Sequence, residues 1–157
     1  MASVSRLSDG RYFITYEMIG MDGVPVYCKF GNTLDDWGDP ESDGIRIVTD
    51  DNVGPGATPF NCFCPNAGEN GAIIVTGRFQ WGIPSSTGVD LYISYDLGKT
   101  WGHIDAPVPY KQDSNHRYSY SPCLFTKADG SVIFANDVNS DFRKDKADFK
   151  YSVLKLK

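Results

Sequence analysis

Short runs of alternating apolar and polar residues, each closed by a Gly, Asp or Pro, recur along the chain, and this period of two predicts strands rather than helices. The first run, Ser3-Val4-Ser5-Arg6-Leu7, meets an Asp9-Gly10 turn and resumes at Arg11-Tyr12-Phe13-Ile14. A matching segment reads Ser119-Tyr120-Ser121-Pro122-Cys123-Leu124, then Lys127-Ala128-Asp129-Gly130-Ser131-Val132-Ile133-Phe134. Between them lies a looser copy: Phe60 to Pro65, an Asn70-Gly71 turn, and Ala72 to Gly77. Each copy is a strand, a turn tolerating positive φ, and a second strand. Third strands are expected at Val24 to Phe30, Asp90 to Tyr95 and Phe149 to Leu156, with outer fourth strands near Ile45 to Thr49 and Gly102 to Ala106. No run holds apolar residues at helical spacing without an interrupting Gly or Pro.

Self-similarity at a period of about 40 to 50 residues signals stacked four-stranded units of the kind that form propeller blades. The chain is therefore expected to be all-β, one partial β-propeller over residues 1–157, with blades at about 1–53, 54–108 and 109–157. The third unit shows no obvious fourth strand. Connections at Leu34 to Gly44, Asp50 to Pro59, Gln80 to Val89 and Pro107 to Arg117 are the long loops where a site is expected.

With 157 residues, 41% hydrophobic and 13% aromatic, the chain has enough apolar matter for a folded core. Its formal charge of −5, with scattered Lys and Arg, argues against nucleic acid as a partner. No stretch approaches the roughly 20 apolar residues of a membrane span, and the start at Met1-Ala2-Ser3-Val4-Ser5-Arg6 lacks the regions of a signal peptide. Cys62-x-Cys64 has the wrong spacing for a zinc knuckle, and Cys28 and Cys123 stand apart. Cys62 and Cys64 are expected on one face of a strand as small apolar side chains. The acidic loop of Asp35, Asp36, Asp39 and Asp43 does not fit a calcium-loop spacing, and His103 and His116 are too few for a histidine metal site. No metal and no cofactor is expected.

Ser94-Tyr95-Asp96-Leu97-Gly98-Lys99-Thr100-Trp101 reads Ser-x-Asp-x-Gly-x-Thr-Trp and resembles the Asp-box of sialidases and related propellers. Its chemistry is that of a turn: Asp96 can accept backbone N–H groups, Gly98 permits positive φ, and Trp101 fills the gap between strands, with Ser94 and Thr100 as local hydroxyls. A degraded counterpart at Phe30 to Trp37 keeps the Trp but not the Asp-x-Gly core.

Around this motif the chain resembles the BNR or Asp-box proteins of the sialidase superfamily, and most closely the C-terminal half of exo-acting arabinanases of glycoside hydrolase family 93. The resemblance rests on Leu7-Ser8-Asp9-Gly10-Arg11-Tyr12 with Thr15-Tyr16-Glu17, Val26-Tyr27-Cys28-Lys29 leading to Trp37-Gly38-Asp39-Pro40, and Gly56-Ala57-Thr58-Pro59. Asn70 to Gly77 and Tyr118-Ser119-Tyr120-Ser121 complete it. It implies half of a six-bladed sialidase-like propeller, three four-stranded antiparallel blades, in a secreted carbohydrate-active protein whose partner is an oligo- or polysaccharide.

Glu17 has the strongest functional claim, because a carboxylate closing the run Tyr12-Phe13-Ile14-Thr15-Tyr16 needs a reason. The resemblance makes Glu17 a catalytic carboxylate in the role of nucleophile, and implies that a catalytic Tyr, Tyr118 or Tyr120, approaches it or is itself the nucleophile. Arg78, Trp81, His116 and Arg117 are candidate substrate-binding residues. Glycosidases of this type use two carboxyl groups, about 5 Å apart in retaining enzymes, and the chain offers one good candidate. It is thus expected to be inactive without further blades. The alternative is a non-catalytic carbohydrate-binding or structural module in which Trp81, Tyr110, Tyr118 and Tyr120 stack on sugars. A half-ring also leaves open faces, for which Phe13, Ile74, Val75, Ile133 and Phe134 are candidates, and these imply self-association.

Overall fold

The computed structural model describes residues 1–77, 79–81, 88–109, 123–141 and 146–156, with side chains placed outside 79–81, 88–89, 105–109, 136–141 and 146–149. Arg78, Tyr110, His116, Arg117, Tyr118 and Tyr120 lie outside the described residues, as does the side chain of Trp81.

Every described element is a strand. In chain order these are β1 (Ala2–Arg6), β2 (Tyr12–Glu17), β3 (Val26–Gly31), β4 (Ile45–Arg46), β5 (Gly54–Gly56), β6 (Phe60–Cys64), β7 (Ala72–Thr76), β8 (Phe79–Trp81), β9 (Gly88–Ser94), β10 (Gly102–Pro109), β11 (Cys123–Thr126), β12 (Val132–Asp141) and β13 (Lys146–Leu154). They form antiparallel sheets in the orders β1-β2-β3-β4, β6-β7-β9-β10 and β11-β12-β13, with a small β5-β8 pair. The third sheet therefore has three described strands where four were expected, and the 54–56 segment of the expected Asp50 to Pro59 loop is a strand.

The hairpins form for local reasons. Gly10 (φ 90°) and Gly130 (φ 81°) sit at equivalent places in the first and third sheets. In both, a carboxylate two residues upstream of an amide clamps the turn: Asp9 accepts from Arg11 N–H and Asp129 from Ser131 N–H, each at 3.0 Å. The closing bonds, Leu7 N–H to Arg11 O at 2.8 Å and Lys127 N–H to Ser131 O at 2.7 Å, repeat as well.

The three main sheets stack, and β7 shows why. All five of its residues are buried, because Ile73 and Val75 face the first sheet while Ala72 and Ile74 face the third. One core gathers Phe13, Val26, Cys28, Ile47, Tyr92 and Trp101 around Ile73 and Val75. The other joins Cys62, Cys64, Leu91 and Ile93 to Val132 and Phe134. All four cysteines are free thiols, and burial pushes Cys28 up to about 12. The hydrogen bond with Cys64, together with burial, raises the Cys62 thiol.

Strand parity also corrects the expected open faces. Phe13, Ile74, Val75 and Phe134 are fully buried between sheets of this same chain. Of the five, Ile133 does lie on an outward face: that of the third sheet, built from the cross-strand row Phe125, Ile133, Val153 and the adjacent row Cys123, Ala135, Tyr151. Phe125, Val153 and Tyr151 on it are 49%, 48% and 71% exposed.

Strand β6 lies beside both β1 and β11, so the leading strands of the three hairpins are neighbours. The first junction is polar. Asn61, buried on β6, donates through Nδ2 to Ser3 O (2.7 Å) and Thr15 Oγ1 (2.8 Å) and accepts from Ser5 Oγ (2.5 Å). Its backbone N–H donates to Ser3 Oγ at 3.1 Å, which ties β6 to β1 and β2 along their length.

Candidate functional site

Glu17 is the last residue of β2 and pairs with Val26 of β3. Period-two alternation puts it on the face of Phe13 and Thr15, the face that looks toward the second sheet. Its side chain is only 16% exposed. Oε2 accepts the Thr58 backbone N–H at 2.7 Å, and Oε1 meets the Met1 ammonium at 2.5 Å. A carboxylate at this depth needs a donor such as the Thr58 N–H, since desolvation without one costs several kcal/mol.

The segment that brings Thr58 to Glu17 is held in an uncommon backbone conformation. Ala57 (φ 51°) and Thr58 (φ 45°) are consecutive non-glycine residues in the left-handed region, and Val24 (φ 43°), across from them, is a third. Such values are unfavourable for β-branched residues, and Thr58 also precedes Pro59, which disfavours helical conformations. The surroundings enforce them. Ala57 N–H donates to Val24 O at 2.9 Å, Pro25 bridges Gly56, and Gly77 lies so near that a Cβ there would stand 2.6 Å from Gly56 O.

Glu17, Thr58, the start of β6 and the end of β7 occupy one end of the stack; the Asp-Gly turns and the segment from Ser94 to Trp101 occupy the other. At that second end Asp96 Oδ1 accepts from Ser94 Oγ (2.8 Å), Thr100 N–H (2.9 Å) and Lys99 N–H (3.1 Å), and Oδ2 accepts from Thr100 Oγ1 (2.7 Å). Desolvation raises the Asp96 carboxyl, but the bonds from Thr100, Ser94 and Lys99 outweigh it and bring it down to about 2. Gly98 (φ 88°) packs on Phe30, and Trp101 is buried against Phe13 with ring centroids 6.2 Å apart. A cavity of about 420 Å³ lined by Tyr95, Asp96, Thr100 and His103 opens beside this turn, at the end of the stack away from Glu17.

Among the sequence-derived site residues, the structure thus sets Glu17 apart from Ser94, Asp96, Gly98, Thr100 and Trp101. Two residues at the Glu17 end escaped sequence reasoning. Thr58 acts through its backbone N–H, which leaves no side-chain signature. Asp90, 5% exposed on β9, shares the face of Tyr92 that looks toward the first sheet; its one signal is a carboxylate inside Val89-Asp90-Leu91-Tyr92-Ile93. Among the described residues no group of His, Cys, Asp and Glu has the arrangement of a metal site, and no helix is long and apolar enough to cross a membrane.

No family model matches the chain, and no curated protein sequence matches it. Solved structures do. The alpha-L-arabinanase of Penicillium chrysogenum, complexed with arabinobiose, superposes with a TM-score of 0.71 at 22% identity, covering 98% of this chain and 40% of that one. The GH93 alpha-L-arabinofuranosidase of Fusarium graminearum, also with arabinobiose, gives 0.72 at 20% identity, covering 98% and 41%. A mutant alpha-L-arabinofuranosidase from Fusarium graminearum bound to an iminosugar inhibitor gives 0.73 at 20% identity over the same shares. The chain has the fold of part of a family 93 arabinanase or arabinofuranosidase and spans about two fifths of the length of these structures.

Proposed function

We propose that the chain is three consecutive blades from the C-terminal half of a secreted, six-bladed, sialidase-like propeller, and that it contributes a carboxylate to a site for arabinose-containing or related oligosaccharides. The observation that carries this reading is the Glu17 carboxylate, largely withdrawn from water and gripped by the Thr58 N–H at one end of the sheets, within a fold shared with arabinanases. In this reading Glu17 is the nucleophile or acid/base of a two-carboxylate mechanism. Tyr118 or Tyr120 would adjust its proton affinity, and Arg78, Trp81, His116 and Arg117 would bind sugar. The Asp-box turn at Ser94 to Trp101 is a structural clamp.

Two carboxyl groups must flank the scissile bond, and the chain covers two fifths of its structural relatives. In this reading the chain supplies Glu17 and requires a second carboxylate across the scissile bond before it can hydrolyse a glycoside. The test is hydrolysis of an aryl α-L-arabinofuranoside by the chain alone and by a chimera that supplies the preceding blades from a family 93 enzyme. Turnover by the chimera that is abolished in Glu17→Gln supports the reading. Turnover that survives Glu17→Gln removes Glu17 from the mechanism.

The second reading is a non-catalytic carbohydrate-binding module in which Trp81, Tyr110, Tyr118 and Tyr120 stack on sugar. A chimera that binds arabinobiose without hydrolysing the aryl substrate selects it.

A further inference from the structure

The geometry points to the strained turn at Ala57-Thr58 as a positioning device for Glu17, with Thr58 N–H as its contact and Gly77 as its support. This inference rests on the proposal that Glu17 serves a carbohydrate site.

A glutamate at a strand end has several rotatable bonds, and ordering it costs conformational entropy that a binding site would otherwise lose on each encounter. Here one carboxylate oxygen is fixed by a backbone donor rather than a side chain, at 2.7 Å. Backbone donors are the more rigid choice, provided the backbone is itself over-determined. Three features over-determine this one. Ala57 N–H is tied to Val24 O, so that the two stretches of left-handed backbone brace each other. Pro25 and Gly56 pair across the same gap, and β5 pairs with β8 just beyond it. Gly77 backs the turn so closely that a Cβ would lie 2.6 Å from Gly56 O, 2.8 Å from Gly56 N and 3.1 Å from Ala57 O.

Left-handed Ala, Thr and Val could each be replaced by Gly at a gain in local comfort. A chain that only needed a bend there would be served better by glycine, as at Gly10 and Gly130. Non-glycine residues in strained conformations persist where the surroundings force them, and they cluster where side chains must be held for function. The three sit together, and among the described residues the polar side chain their turn grips is Glu17.

The test compares ¹⁵N-labelled wild type with Glu17→Gln, Gly77→Ala, Ala57→Gly and Thr58→Gly. The Thr58 amide proton should resonate downfield in the wild type, as expected for a donor to a carboxylate, and move upfield in Glu17→Gln. Gly77→Ala should produce the same upfield move with Glu17 intact and with the β1–β2 and β6–β7 amides unshifted. Ala57→Gly and Thr58→Gly should melt at higher temperature yet bind arabinobiose about threefold to tenfold more weakly, because the carboxylate is less well held. A purely structural turn would give the rise in melting temperature with unchanged affinity, which overturns the inference. So does a Thr58 amide shift identical in wild type and Glu17→Gln. If the wild type binds no arabinobiose, the carbohydrate reading fails and the amide shifts alone decide the positioning role. If Gly77→Ala does not fold, Glu17→Gln and the two glycine variants still decide it.

Discussion

Replacing Asn61 by Ala removes the polar bracket between the first and second sheets, and its cost can be worked from the partners left behind. The side chain makes three hydrogen bonds, to Ser3 O, Thr15 Oγ1 and Ser5 Oγ. Thr15 is fully buried, so water cannot replace the Asn61 donor; its hydroxyl keeps only a 3.5 Å bond to Ser3 O, and losing the closer partner of a buried group costs about 1–3 kcal/mol. Ser3 and Ser5 are half-exposed, and water recovers part of their loss. The sum is about 2–4 kcal/mol, a large share of the roughly 5–15 kcal/mol that stabilises a typical domain. For a chain of this length that lowers Tm by roughly 5–15 °C. Asn61→Asp is the sharper control, because it keeps the shape but turns the Nδ2 donor into an acceptor aimed at Ser3 O and Thr15. It should destabilise at least as much as Asn61→Ala. Urea denaturation followed by circular dichroism gives both values. A loss below about 0.5 kcal/mol for either variant, the range of an ordinary surface change, would refute the bracket.

Three other outcomes follow from the same geometry. Gly98→Ala places a Cβ 2.6 Å from the Phe30 ring at φ 88°, and should cost about 1–3 kcal/mol in thermal unfolding. The Asp96 carboxyl, held at about 2 in the folded chain against an unfolded value near 3.8, contributes stability that is present above pH 4 and lost as pH falls toward 2. Because Asp96 is only half-buried, solvent screening limits this contribution to about 1 kcal/mol, and Asp96→Asn should flatten that part of the stability–pH curve. The outward face of the third sheet should drive concentration-dependent association in sedimentation equilibrium, and Phe125→Ser with Tyr151→Ser should weaken it; a wild-type chain that stays monomeric contradicts this.

The hairpins were legible in the sequence because Asp9-Gly10 and Asp129-Gly130 specify their own turns, and β7 because the short apolar run Ala72-Ile73-Ile74-Val75 follows directly on the Asn70-Gly71 turn. The β5-β8 pair was not, since Gly-Pro-Gly carries no strand propensity and is drawn into pairing by the close approach of Gly77 to Gly56 and of Gly54 to Ile47. The outward faces were misassigned because alternation says that two faces exist but not which one a neighbouring sheet covers; Phe13 and Phe134 turned inward, and Phe125 and Tyr151 outward. Glu17 stood out as a lone acid closing an apolar strand. Its partner did not, because a backbone N–H from a turn 41 residues away is supplied by tertiary structure alone. Asn61 was hidden for the opposite reason: between Phe60 and Cys62 it reads as one polar position in an alternating strand, and its bonds to Ser3, Ser5 and Thr15 appear only when two sheets meet.

The central claim, that the Glu17 end of the sheets is a carbohydrate site, is tested most directly by titrating the ¹⁵N-labelled chain with arabinobiose. Saturable shifts are expected at Glu17, Ala57, Thr58 and Gly77, abolished in Glu17→Ala, with the Ser94 to Trp101 turn unmoved. Saturable shifts confined to that turn and its adjoining cavity, or no shifts at all, would contradict it.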